Sequence, residues 1–212
     1  MGEEQPRWNP ATHGTRQKNP PGCEDHLTLK GQNVAMKWFK NIFGGPNMTT
    51  LTAGKKAPDF NLPAMAGKDF SLRDALAGGP VVAAFFKVSC PVCQYAFPFL
   101  DRIYKNYGGK NATLVGISQN DKKDTAAFIK QFNVTFPVLL DDINKFPVSN
   151  AYGLTNVPSI FWIAQDGEIE VSSVGWSRKD IEQIAGKALE TTGETSQLLF
   201  RPDEKIADFR AG

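Results

Sequence analysis

Cys90 and Cys93 stand either side of Pro91 and Val92 in the stretch FFKVSCPVCQYAFPF, residues 85–99. The chain holds only 3 cysteines, so two of them within one helical turn call for a chemical reason. Thiols at this spacing can clip a metal, staple the backbone, act as a peroxidase nucleophile beside a bystander, or open and close as a redox pair. A structural zinc site needs four ligands, usually a second CxxC or a pair of histidines. The remaining candidates are Cys23, His13 and His26, all in a polar N-terminal stretch. No metal is therefore expected. Three cysteines are also too few for a disulfide scaffold.

The residues around the pair say how it is held. PVVAAFF, residues 80–86, shows no polar alternation, as expected of a strand buried on both faces of a partly parallel sheet. After the pair, Phe97, Leu100, Ile103, Tyr104 and Tyr107 recur at three and four, which predicts a helix over 91–107 with Pro98 kinking it. The first cysteine thus sits at a helix N-terminus, where unpaired N–H groups and a partial positive charge favour a thiolate. The second lies one turn on, on the same face, within reach of a mixed disulfide formed by the first. Closer to the core, it should be desolvated and slow to attack from outside.

The rest of the chain supplies the frame. GKKAPDFNLP holds a short edge strand, KDFSL its hairpin partner, and RDALAGG a short helix ended by Gly78 and Gly79. NATLVGIS reads as a buried strand and KKDTAAFIKQF as a helix. FPVLL is a strand or an extended lead into a helix near 144–152. PSIFWIA and EIEVSSV are strands joined by a QDG turn, with Gly167 at positive φ. SRKDIEQIAGKALETTG is a helix capped by Ser177 and stopped near Gly193. Helices alternating with buried strands, closed by a hairpin, predict a three-layer α/β/α sandwich with a central mixed sheet and an N-terminal β-hairpin extension.

Residues 1–50 are rich in Pro, Gly, Asn and charge and read as a poorly ordered tail. Within it, Ala35, Trp38, Phe39 and Ile42 share one face of a short helix that would be marginal alone. The domain is expected over 51–193, with 194–212 a polar tail carrying scattered apolar residues that dock. The hydrophobic content of 41%, the charged content of 22% and the net charge of +2 suit a globular domain and argue against a nucleic-acid partner. No apolar run approaches the length of a transmembrane helix, and no secretory signal is visible, so a cytoplasmic protein is expected.

The combination resembles a known family. FFKVSCPVCQYAFPFL, then NVPSIFWIAQDGEI about seventy residues on, with GKKAPDFNL leading, is similar to the thioredoxin-like redoxins of the TlpA/ResA type within the AhpC/TSA–redoxin superfamily. The resemblance covers about residues 53–192. It implies a thioredoxin-like fold and a cis bond between Val157 and Pro158 packed beside Cys90. It also implies a substrate surface made by Val157, Pro158, Pro91 and Val92, with the Val157 backbone free to pair with an extended peptide. Departures are informative. Ser89 stands where many relatives carry Trp. Ala84 stands where thioredoxin carries a buried acid, so Cys93 lacks that proton acceptor. Lys87 is a candidate to stabilise the thiolate.

The expected activity is thiol–disulfide exchange with a protein or small-thiol substrate. Cys90 and Cys93 are catalytic, an external thiol reductant recycles the pair, and the protein is a monomer without metal or organic cofactor. Two alternatives stay open. One is a thiol peroxidase, in which Cys93 is peroxidatic, Cys90 takes a position usually Thr or Ser, and Pro158 takes a position usually Arg. The other is a non-enzymatic metal or haem-maturation chaperone carrying its cargo on the same thiols, since copper(I) favours soft thiolates.

Overall fold

The computed structural model of the protein describes residues 49–107, 111–193 and 198–212. The expected helix around Ala35–Ile42, together with His13, Cys23 and His26, lies outside the described residues.

The central strand is β3 (Val81–Phe86), all six residues of which are buried. It runs parallel to β4 (Thr113–Ser118), which runs parallel to β5 (Val138–Leu140). On its other edge β3 pairs antiparallel with β6 (Ser159–Ile163), which pairs antiparallel with β7 (Ile169–Val174). The sheet order is β5-β4-β3-β6-β7. The turn from β6 to β7 runs through Gly167 at φ 85, as its position after Asp166 predicts.

Alternate residues of β3 feed opposite layers, because side chains of a strand alternate between faces. Val82, Ala84 and Phe86 pack with α2 (Pro91–Tyr107), with Phe128 of α3 (Lys122–Phe132), and with Ile181 and Ile184 of α5 (Arg178–Thr192). Val81, Ala83 and Phe85 pack with Leu72 of α1 (Leu72–Gly78), Val148 of α4 (Pro147–Ala151), Tyr152, and the hairpin of β1 (Asn61–Leu62) and β2 (Phe70–Ser71). The result is a thioredoxin-like three-layer sandwich with the N-terminal hairpin as a separate small sheet.

Aromatic contacts lock α2 onto β3. Phe97 lies with its ring centroid 4.4 Å from that of Phe86 and 5.1 Å from that of Phe128. Such pairs contribute about 0.5–1.5 kcal/mol each beyond area burial. The helix continues through Pro98, which cannot donate to the carbonyl one turn back.

Residues 198–212 lie on the domain body. Leu199, Phe200, Ile206 and Ala207 pack against the core that contains α2 and α5. Two short strands absent from the sequence reading appear here, β8 (Trp176–Ser177) and β9 (Phe209–Arg210), paired antiparallel. At the other end, Leu51 N–H donates to Tyr152 O at 3.1 Å, and Ser172 Oγ donates to Leu51 O at 2.6 Å.

A chain beginning at Met48 retains these contacts of Leu51. It is expected to unfold within about 0.5 kcal/mol of the full chain, the size usual for changes away from packed features. Urea unfolding of both chains checks this. A larger loss would mean that residues 1–47 pack on the domain.

Candidate active site

The cysteine pair sits where β3 ends and α2 begins. The connecting loop is pinned at Val88: its N–H donates to Asn120 Oδ1 at 3.0 Å, and its carbonyl accepts from Gln94 Nε2 at 2.9 Å. Cys90 N–H donates to Lys87 O at 3.2 Å. The Cys90 carbonyl accepts from Gln94 N–H at 3.1 Å, an i to i+4 bond, so Cys90 is the N-cap of α2 and Pro91 its first helical residue. Cys93 then holds the third helical position, and its N–H donates to Cys90 Sγ at 3.2 Å. An N-cap Ser or Asp uses its oxygen in the same way. The CxxC spacing is thus a capping spacing in which sulfur takes the orphan N–H.

The second partner of that sulfur comes from across the fold. The Val157–Pro158 bond is cis. Cys90 Sγ donates to Val157 O at 3.2 Å. Pro158 is buried and Val157 half-buried, beside a half-buried Cys90. Between the two cysteines, Pro91 is exposed and Val92 half-buried. Cys90 and Cys93 are both free thiols.

The AhpC/TSA family model matches residues 53–172. The chain belongs to this family. Among its relatives, the thiol-disulfide oxidoreductase ResA of Bacillus thuringiensis (strain Al Hakam) is 30% identical over 162 residues, 76% of this chain and 88% of the relative. The thioredoxin-like protein YneN of Bacillus subtilis (strain 168) is 29% identical over 157 residues, 72% of this chain and 86% of the relative. The crystal structure of a putative thiol:disulfide interchange protein DsbE from Chlorobium tepidum superposes with a TM-score of 0.59 at 26% identity, covering 67% of this chain and 99% of that one. The protein is a thioredoxin-like oxidoreductase of the AhpC/TSA family.

Within this family frame, the two thiols have unlike surroundings. Cys93 has no solvent exposure. Burial pushes its pKa far above the ordinary thiol range, and the hydrogen bond to Cys90 adds to the rise. Backbone contact at Lys87 pulls the other way without cancelling it. Ala84, fully buried in β3, brings no carboxylate to the pair. The Lys87 side chain is exposed and holds its Nζ 5.9 Å from the centroid of the Phe146 ring. It also lines a cleft of about 190 Å³ with Gln119, Asn150, Thr155, Asn156 and Val157. Among the described residues no cluster of three metal-ligating side chains occurs, and no helix is long and apolar enough to cross a membrane.

Asn120 and Gln94 escaped the sequence reading. Gln94, one residue after the motif, was within reach of inference as a polar side chain in the first turn. Asn120 was not, because only the pairing of β3 with β4 brings it to Val88.

The raised pKa of Cys93 has a consequence for stability. Its thiol stays protonated in the folded state, whereas an unfolded thiol ionises above about pH 8.5. Above that pH the unfolded state binds fewer protons, so the Cys93 contribution to stability is complete at lower pH and declines as pH rises. Under reducing conditions, the stability difference between the native chain and Cys93→Ala should shrink by up to about 1.4 kcal/mol per pH unit above that point. Denaturant unfolding from pH 7 to 10 checks this, and a constant difference would contradict a buried protonated thiol.

Proposed function

We propose that the protein exchanges disulfides with protein substrates through Cys90 and Cys93, in unequal roles. The observation that carries this is the contrast between the pair: Cys90 is half-buried with its sulfur at the mouth of α2, and Cys93 is fully covered. Relatives named as thiol-disulfide oxidoreductases support the same chemistry.

In the first step the Cys90 thiolate attacks one sulfur of the substrate disulfide. A new S–S bond forms to Cys90, and the other substrate half leaves as a thiolate that takes a proton. Attack runs along the line of the three sulfurs, and a donor already aimed at Cys90 Sγ, the Cys93 N–H, offsets charge there. In the second step Cys93 loses its proton and attacks Cys90 Sγ. The remaining substrate half leaves as a thiolate and takes up a proton, balancing the one lost. The enzyme pair is oxidised by two electrons and the substrate reduced by two. An external dithiol reverses this on the enzyme.

Burial of Cys93 fits the second role. A protonated, covered thiol reacts only with a sulfur already delivered to it, so attack on an external disulfide falls to Cys90. The same burial disfavours Cys93 as a peroxidatic nucleophile, which must meet peroxide as a thiolate. Val157, on the rim of the site, presents backbone to an extended substrate in the manner of strand addition, with Pro91 and Val92 flanking it. Lys87 belongs to the rim of the neighbouring cleft.

Single mutants separate the roles. Cys93→Ser should accumulate a mixed disulfide on Cys90 when given a disulfide substrate, and Cys90→Ser should show no exchange above the uncatalysed background. Stoichiometric hydrogen peroxide should oxidise Cys93 only slowly in Cys90→Ser. Intact-mass spectrometry of both proteins reads each outcome. Rapid sulfenic acid on Cys93 would overturn the assignment in favour of a peroxidase.

A further inference from the structure

The segment after α5 brings residues 209–212 onto Val157 and Asn156. Its first part is firmly held. Arg102 makes a two-pronged ion pair with Glu204, with both contacts at 2.8 Å. Trp176 Nε1 donates to Ala207 O at 2.6 Å, and Ala207 N–H donates to the Tyr95 hydroxyl at 3.1 Å. Arg178 N–H donates to Asp208 O at 2.9 Å.

Beyond Asp208 the character changes. Phe209 is 63% exposed, and all of 209–212 are exposed, whereas Leu199, Phe200, Glu204, Ile206 and Ala207 are half-buried. The tip is held by the β8–β9 pairing, by the Arg210 guanidinium 3.8 Å from the centroid of the Tyr95 ring, and by Asn156 Nδ2 donating to Gly212 O at 2.8 Å. Main chain lies on main chain. A Cβ on Gly212 would fall 2.5 Å from Val157 O, the carbonyl that accepts from Cys90. A Cβ on Gly175, at φ +78, would fall 2.5 Å from Arg210 O and 2.9 Å from Gly212 N. Only backbone without side chains approaches this closely. The tip therefore lies against Gly175 and against Val157, the residue whose backbone the exchange reading assigns to an extended substrate. Asn156, which holds Gly212, and Val157 also line the cleft of Lys87 and Gln119.

We propose that residues 209–212 select which disulfides reach Cys90: small disulfides react with the tip in place, whereas an extended polypeptide carrying a disulfide must displace it from Val157 and Gly175. This rests on the exchange reading above. The tip acts as a tethered competitor whose anchor is the packed stretch 199–208. A site closed most of the time by such a competitor loses apparent affinity in proportion to the closed fraction.

The test compares the full chain, a chain ending at Asp208, and Arg210→Ala. Each is reduced with dithiothreitol and given either insulin or 5,5′-dithiobis(2-nitrobenzoate). Removing the tip should raise the rate with insulin about tenfold, the effect of releasing a closed state favoured by roughly that ratio, and leave the small disulfide within about twofold. Arg210→Ala should fall between and guards against misfolding of the shortened chain. In Cys93→Ser carrying a peptide disulfide-linked to Cys90, hydrogen exchange over 209–212 should be faster than in the free protein. Equal acceleration of both disulfides, or an unchanged insulin rate with unchanged exchange at the tip, would overturn the selection while leaving thiol exchange intact. A full chain inert towards both disulfides would overturn the exchange reading itself, and the selection with it.

Discussion

Burial of β3 on both faces is the constraint from which the site follows. A strand with no solvent face must be covered by two layers, and its neighbours must supply ladder bonds on both edges. One neighbour, β4, is parallel and the other, β6, antiparallel. The chain leaving the end of β3 therefore emerges between a loop that follows β4 and a loop that precedes β6. The first brings Asn120 to Val88, and the second brings Val157 to Cys90. Crevices of this kind, where connections part at the ends of strands, are recurrent ligand sites in open α/β sheets.

At that crevice one sulfur atom joins local to long-range structure. Cys90 Sγ accepts from an N–H of its own helix and donates to a carbonyl 67 residues away in sequence. The capping role costs the fold little, since some side chain would have to satisfy that N–H. The Cys90 sulfur is thereby placed on the rim rather than in the core, and Cys93, one turn inside, is placed where water does not reach. The chemical asymmetry of the pair is a geometric outcome of capping, not a difference between two identical side chains.

Segment 198–212 shows how packing can assign a role to residues with no pattern of their own. Leu199, Phe200, Ile206 and Ala207 fall at no helical or strand period, yet each meets the core. Trp176, fully buried, is what draws them in: its ring lies against Tyr95, Phe99 and Phe200 and its indole N–H is satisfied by Ala207 O. A buried indole donor requires a partner, and here the partner fixes the path of the chain towards Val157.

The sequence by itself determined the elements and the place of the cysteine pair at a helix start. The unbroken apolar run of β3, the three-and-four recurrence after Cys93, the cap at Ser177 and the glycine at 167 are local signals, each set by periodicity or backbone sterics within a few residues. They were legible because the physics that produces them is short-range. The same holds for the CxxC at a helix start, while the cis Val157–Pro158 bond beside Cys90 was reached through family resemblance. Tertiary structure alone decided the rest. Asn120 reaches Val88 only because β4 lies beside β3, and Gly212 reaches Val157 through the β8–β9 pairing and the contacts of Trp176, Tyr95 and Asn156. The complete covering of Cys93 needs α2, β3 and their layer together. Contacts of that kind join residues tens of positions apart, and no local pattern encodes which of them meet.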